Sequence, residues 1–495
     1  MTNCRKTCDK GVIYILWFAQ EHVDFRLYEF DSLIKMFGLQ VRRLTEQTLK
    51  PFWLVEFCDK KTAKQYASRS ISLRAMFELY AHATSLPEFH KRLRSHIDAN
   101  RHVMERFFRA DTSFKITVET YNKHFSQREK VEKIETMDYL PLEGPVNLKN
   151  PKVEWCYIEF WGLDPTAVPS EPEDIMFGRL VAYGQRHLIK ELSLKERKFI
   201  GNTSMDAQLS LLMANQAMVR EGDLVFDPFV GTGSLLVSAA KWGAYVLGAD
   251  IDYMMLHARC RPSRITQKVR DKDESIRANL KQYGCADRYM DVVVADFSNP
   301  LWHPRISFDS IITDPPYGIR EAMEKVESKS VSKDNIRRED MVHYPSTSHY
   351  SLQCLYGDLL EFAARHLRLG GRLVCWLPFH REDYDQIILP RNDHLDLVAN
   401  SEQLLTGNTA RRLLTYEKSS EYSPVDPSLA IATKISSHSQ DFRDRYFNSA
   451  LEPRKERRIR KAEQRELGRV EMEARGKIPT DGRSKKCDLN KARFK

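Results

Sequence analysis

Five short apolar runs punctuate residues 224–377, with helical stretches between them: Leu224-Val225-Phe226, Ala244-Tyr245-Val246-Leu247, Asp291-Val292-Val293-Val294, Asp309-Ser310-Ile311-Ile312, and GRLVCWL from Gly371 to Leu377. Such runs lack the in–out alternation of a half-solvated sheet, so both faces need cover, and the intervening helices supply it. The pattern predicts an α/β domain over residues 200–420, built on a Rossmann-like, doubly wound parallel sheet. Leu352, Leu355, Leu359 and Ala363 fall at helical spacing before the last run, with Gly370-Gly371 as the expected helix stop. Leu395–Val398 and Leu413–Tyr416 read as an antiparallel edge hairpin.

The N-terminal part reads as a smaller α/β region. Lys6 and Lys10 precede the apolar run Val12 to Ala19 in the manner of a secretion signal, but no small-x-small cleavage site follows. A buried strand is the better reading, because a membrane span needs roughly 20 apolar residues. Phe30, Leu33, Ile34 and Phe37 predict a helix that Gly38 stops. PFWLVEF from Pro51 to Phe57 reads as a strand, Ala63 to Ala83 as a helix, and Phe114, Ile116 and Val118 as a half-buried strand. The Pro-rich stretch GLDPTAVPSEPED, Gly162 to Asp174, reads as part of a linker. The expected organisation is an α/β subdomain at 1–50, a second α/β domain at 51–165, a linker at 166–199, the parallel-sheet domain at 200–420 and a tail at 421–495.

Charge is uneven along the 495 residues. The chain carries a net +9, yet residues 451–495 alone hold 16 Lys and Arg against 8 Asp and Glu, so the body is almost neutral and the tail reads equally as a phosphate-attracting arm or as a solubilising extension. Nine scattered cysteines, with only Cys4 and Cys8 close together, form no zinc set and read as reduced intracellular thiols.

The chemistry is written at the ends of the apolar runs. After the first comes Asp227-Pro228-Phe229-Val230-Gly231-Thr232-Gly233-Ser234, whose glycines permit a sharp turn and close ligand approach at a helix N-terminus. No Gly-Lys-Ser/Thr follows, so this is not a phosphate loop. After the second comes Gly248-Ala249-Asp250, with a carboxylate where ribose hydroxyls sit in nucleotide-binding sheets. After the third comes Ala295-Asp296-Phe297, where Asp296 can accept from an adenine amine and Phe297 can stack on the ring. Each Asp alone reads as a helix cap or turn residue; three in order after a Gly-Thr-Gly turn point to a cofactor with an adenosine part.

After the fourth run comes Asp314-Pro315-Pro316-Tyr317-Gly318. An exocyclic base amine is a poor nucleophile because its lone pair is delocalised into the ring. Two acceptors, the Asp314 carboxylate and the Pro315 carbonyl held by Pro316, can draw its hydrogens out of the ring plane, while Tyr317 stacks on the base.

Together these motifs resemble the S-adenosylmethionine-dependent methyltransferases that modify nucleobase amines. The stretch Ile200 to Asp206 (IGNTSMD), Asn215 and Gly318-Ile319-Arg320-Glu321 narrow the resemblance to the eukaryotic tRNA (guanine-10-N2)-methyltransferase catalytic subunits, which join a THUMP RNA-binding domain to a class I methyltransferase sheet. That resemblance implies methyl transfer from S-adenosylmethionine to N2 of a guanosine in tRNA. It implies Thr203, Ser204, Asp206, Asp227, Gly231 and Gly233 around the methionine end of the cofactor, Asp250 on its ribose, Asp296 and Phe297 on its adenine, and Asp314 to Tyr317 on the guanine. It further implies a grip on the tRNA acceptor end by a region including Ser68 to Arg74, a small zinc-binding activating subunit as partner, and a cytoplasmic location. Arg320 and Arg411 or Arg412 are candidate phosphate contacts, with a solvated surface arginine the more ordinary reading of each, and the charged segment 321–350 is either a lid near the base or a plain insertion. An adenine N6 or cytosine N4 methyltransferase, or a tRNA-binding scaffold with an inactive fold, are the alternatives.

Overall fold

The computed structural model describes residues 11–46, 49–299, 301–319, 321–327, 346–385, 389–406 and 409–423; the tail beyond 423 lies outside the described residues. Two seven-stranded sheets organise the chain. The first contains β1 (Val12–Phe18), β2 (Val41–Arg43), β3 (Phe52–Phe57), β4 (Leu73–Ala83), β5 (Phe114–Tyr121), β6 (Val153–Phe160) and β7 (Asp174–Tyr183), in the order β2-β3-β1-β4-β7-β6-β5. Strands from residues 1–50 and 51–165 therefore pair in one sheet, and β7 occupies part of the expected linker, inserted between β4 and β6.

The helix Arg26–Phe37 ends as its sequence requires, with Gly38 at φ 62°. The stretch Ala63 to Ala83 does not form the continuous helix its composition suggests. A helix at Lys60–Ala67, capped by Asp59, gives way to β4. Leu, Ala, Met and Glu favour helix intrinsically, but β4 lies in mid-sheet between β1 and β7, and burial of Met76, Phe77, Tyr80 and Ala81 overrides that preference.

The second sheet contains β8 (Leu224–Asp227), β9 (Tyr245–Asp250), β10 (Tyr289–Val294) and β11 (Phe308–Thr313), then, past a small antiparallel ribbon of β12 (Glu324–Val326) and β13 (Thr347–His349), β14 (Leu367–His380), β15 (Leu395–Thr406) and β16 (Thr409–Lys418). Its order is β10-β9-β8-β11-β14-β16-β15, parallel through β14 and antiparallel at β16 and β15. The preceding helix, Leu352–His366, stops earlier than expected, and Gly370-Gly371 instead lies where β14 slips register against β11. Chain direction across the sheet diverges between β8 and β11, the switch point at which open α/β sheets bind ligands.

The two sheets share a joint made by Ser68 to Arg74. Arg69, Ser70, Ile71, Ser72 and Leu73 are buried, so most of this segment is not an RNA-facing surface; Ser68 and Arg74 are exposed. The Arg69 guanidinium donates to Asn215 Oδ1 and to the Val219 carbonyl (2.9 Å) and lies over Trp242. Glu29 accepts from the Ile71 amide (2.7 Å), the Ser72 amide (2.9 Å), Ser70 Oγ (3.1 Å) and Asn215 Nδ2 (2.7 Å). Phe25 and Ile71 enter the same apolar cluster as Leu209, Leu212 and Val374 of the second domain. Among the described residues no helix is long and apolar enough to cross a membrane.

Candidate active site

The carboxyl ends of β8, β9 and β11, with the turn after β10, converge on one edge of the second sheet. Asp227 ends β8, 1% exposed; its Oδ1 accepts from Thr313 Oγ1 on β11 (2.7 Å) and from the Phe229 amide (3.1 Å). The Thr313 bond spans the switch point. Burial pushes the Asp227 carboxyl up to about 8, with the neighbouring carboxylates Asp250 and Asp314 adding to the rise.

The turn after Asp227 needs its glycines. Gly231 has φ 50° and open space where a Cβ would point, and Gly233 has φ 75° with Ile276 only 2.7 Å from such a Cβ. The Gly231 amide donates to Asp250 Oδ2 (2.8 Å), while Asp250 Oδ1 accepts from the Asp252 amide (3.0 Å). Burial lifts Asp250 to about 6. Asp252 is the helix cap, bonding the Met255 amide, which leaves Asp250 as the carboxylate facing the turn.

Thr203, Ser204 and Asp206 have three separate partners. Ser204 Oγ bonds Thr232 Oγ1 (2.6 Å), tying IGNTSMD to the glycine turn; Thr203 Oγ1 donates to Glu321 (2.9 Å); Asp206 caps the helix Ala207–Gln216 through the Leu209 amide (3.1 Å). Asp296 accepts from the Ser298 amide and hydroxyl (both 2.9 Å) and from the Val326 amide (2.8 Å), so the β12–β13 ribbon is fastened to it. Phe297 packs between Phe229 and Phe362. The rest of the candidate lid, 328–345, and Arg320 lie outside the described residues.

In the turn after β11, the Tyr317 hydroxyl donates to Asp314 Oδ1. Burial raises Asp314, opposed chiefly by Arg411. Arg411 is not a phosphate contact at the surface: it is 9% exposed, and its Nη1 lies 3.2 Å from both Asp314 Oδ2 and Tyr317 Oη. Its Nε donates to Gln403 (2.7 Å), and its guanidinium lies 4.0 Å from the Trp376 ring centroid. Arg412, the next residue on β16, points elsewhere, over Tyr384 and onto Asn400. Strand alternation sends the two side chains to opposite faces of the sheet, both of them covered, and only the face of Arg411 meets Asp314 and Tyr317. Thr313 is a further member of the site outside the motifs, and Thr232 and Glu321 lie within them without an assigned role.

The donor set fits S-adenosylmethionine. A buried carboxyl at Asp227, which an adjacent cation would ionise, suits an ammonium group, Asp250 suits vicinal hydroxyls, and the open side of Gly231 leaves backbone against which a ligand can lie. Among the described residues no group of three or more His, Cys, Asp or Glu could hold a metal ion.

Comparison with known proteins gives the family. Residues 12–186 match the model of the Tmrp11 THUMP N-terminal domain and residues 195–330 that of the RMKL-like methyltransferase domain. The chain is 43% identical over 440 residues to tRNA (guanine(10)-N(2))-methyltransferase TRMT11 of Gallus gallus, covering 88% of this chain and 95% of that protein. It is 42% identical over 445 residues to TRMT11 of Homo sapiens, with the same coverage, and 32% identical over 448 residues to the tRNA (guanine(10)-N(2))-methyltransferase of Saccharomyces cerevisiae, covering 88% of this chain and 99% of that protein. With a THUMP-type sheet, a β10-β9-β8-β11-β14-β16-β15 methyltransferase sheet and relatives this similar over most of its length, the chain belongs to the tRNA (guanine(10)-N(2))-methyltransferase family.

Proposed function

We propose that the protein methylates the exocyclic N2 of a guanosine in tRNA, position 10 by family, using S-adenosylmethionine. The observation that carries this reading is the Asp314-Pro315-Pro316-Tyr317 turn at the switch point beside Asp227, Asp250 and Asp296. S-adenosylmethionine, when bound, supplies an electrophilic methyl group on a sulfonium. Asp227, Gly231 and Gly233, with Thr203, Ser204 and Asp206 behind them, hold its methionine end; Asp250 holds the ribose and Asp296 with Phe297 the adenine. Asp314 and the Pro315 carbonyl accept the two amine hydrogens and Tyr317 packs the guanine, so the nitrogen lone pair is turned toward the methyl carbon. The gain comes from positioning and from fixed charge rather than from a covalent intermediate.

The N-terminal sheet serves as the tRNA-binding part, and the basic tail adds non-specific phosphate contacts. A small zinc-binding activating subunit completes the complex, and the cytoplasm is the place of action. Nucleoside mass spectrometry of unmodified tRNA incubated with labelled S-adenosylmethionine, with and without that subunit, tests the proposal. N2-methylguanosine formed only with both proteins supports it, whereas methyladenosine or methylcytidine refutes it. Asp314→Ala should retain cofactor binding by calorimetry and lose turnover by more than about 100-fold; retained turnover would remove Asp314 from the mechanism.

A further inference from the structure

Asp314 stands at the centre of a cluster whose other charged member comes from the far end of the chain. Arg411 on β16 reaches Asp314 Oδ2 and Tyr317 Oη at 3.2 Å each, is itself held by Gln403 at 2.7 Å, and rests on Trp376. Trp376 is in turn backed by Phe25 of the N-terminal domain. A guanidinium anchored on three sides has little freedom to leave, and nothing in methyl transfer to an amine requires a cation there.

We propose, resting on the guanine reading above, that Arg411 is a positioning residue that sets base specificity by keeping Asp314 an acceptor-only carboxylate. A carboxylate has roughly four lone-pair positions and no donor. Arg411 and Tyr317 occupy one position on each oxygen, leaving one on each for the base. Guanine presents adjacent donors, N1–H and the N2 amine, and both find acceptors. Adenine and cytosine place a bare ring nitrogen beside the amine, and a carboxylate oxygen facing it is repelled. A protonated Asp314 would reverse the preference, because it pairs one acceptor with one donor. The turn that serves several base amines is thereby committed to one by a residue about a hundred positions away in sequence.

The remaining groups around Asp314 do not supply the same constraint. Asp227 on β8 is a buried carboxyl held up near 8, and burial raises Cys375 on β14 and Tyr356 on the helix Leu352–His366. Asp206 lies within electrostatic reach of Arg411, and His22, whose imidazole burial pulls down, is influenced by both. Arg411 is the only cation bonded to Asp314 among the described residues.

The test uses the complex with its activating subunit and tRNA transcripts carrying guanine or 2-aminopurine at the target position. 2-Aminopurine keeps the N2 amine but has an unprotonated N1. The wild type should prefer guanine in kcat/KM by at least about 100-fold, roughly flat from pH 6 to 8, as sites built to bond a substrate N–H do. Arg411→Gln should cut that preference about tenfold or more and make it pH-dependent, with 2-aminopurine gaining toward acid as Asp314 protonates. Arg411→Lys should restore most of the preference, and Gln403→Leu, which only loosens Arg411, should shift it in the same direction by less. A guanine to 2-aminopurine ratio unchanged in Arg411→Gln and Gln403→Leu, with both substrates slowed equally at every pH, would overturn the inference and leave Arg411 a purely structural residue. Absence of N2-methylguanosine from the wild type on its guanine transcript would instead refute the guanine reading on which the inference rests.

Discussion

Asp227→Asn should make the protein more stable and a worse binder of its cofactor, with both effects following pH. The Asp227 carboxyl is 1% exposed, keeps two hydrogen bonds, and is pushed from an ordinary 3.8 to about 8. Between those values the folded protein holds a proton that the unfolded chain has released, so stability is greatest below about pH 4 and falls as pH rises toward 8. Each pH unit in that window costs about 1.4 kcal/mol, which makes about 4 kcal/mol at pH 7; allowing half for relaxation and water entry leaves about 2 kcal/mol. The amide oxygen of Asn can still accept from Thr313 and the Phe229 amide, so the variant avoids this cost. A domain of this size gains roughly 2–4 °C per kcal/mol, so thermal melts at pH 7 should show Asp227→Asn higher by about 5 °C or more, with the gap closing near pH 4. A ligand ammonium beside Asp227 lowers its pKa and expels the proton, so calorimetric affinity for S-adenosylmethionine in the wild type should rise with pH up to about 8. The variant should bind about 10–100-fold more weakly with a flat profile, in keeping with the loss of one charge-assisted contact. A melting gap independent of pH, or a variant less stable at pH 7, would refute the claim that desolvation of Asp227 is a cost carried for ligand binding.

Asp250→Ala removes the acceptor of the Gly231 amide at 2.8 Å; affinity for S-adenosylmethionine should fall about 10–100-fold, measured by calorimetry. Glu29→Ala strips one acceptor from four donors at the joint between the sheets and should cost about 3–5 kcal/mol in urea unfolding, with faster proteolysis between the domains. Deleting residues 451–495, with their 16 Lys and Arg, should lower the slope of tRNA affinity against salt concentration; an unchanged slope would exclude the tail from binding.

Local signals were strong where the chain makes its own decisions. The helix Arg26–Phe37 has periodic apolar residues and a glycine stop, and the parallel strands β8 to β11 are apolar runs ending in acidic or glycine-rich turns. The positions of Asp227, Asp250, Asp296 and Asp314 at or just after strand ends follow from that rhythm. Where neighbours decide, the local signal misleads. LRAMFELYAHA is strand β4 because β1 and β7 flank it, and Ser68 to Arg74 is largely interior because a second domain covers it.

A nucleotide-binding α/β sheet and a base-amine turn are legible along the chain, since both depend on adjacent residues and on backbone conformations that only Gly and Pro favour. Tertiary structure alone decided that Arg411 meets Asp314 and that Asn215 meets Glu29 and Arg69, pairs separated by 97, 186 and 146 positions. Such meetings arise from strand order and domain packing, and a charged residue in an apolar strand acquires its role only when the fold brings the opposite charge to the same side.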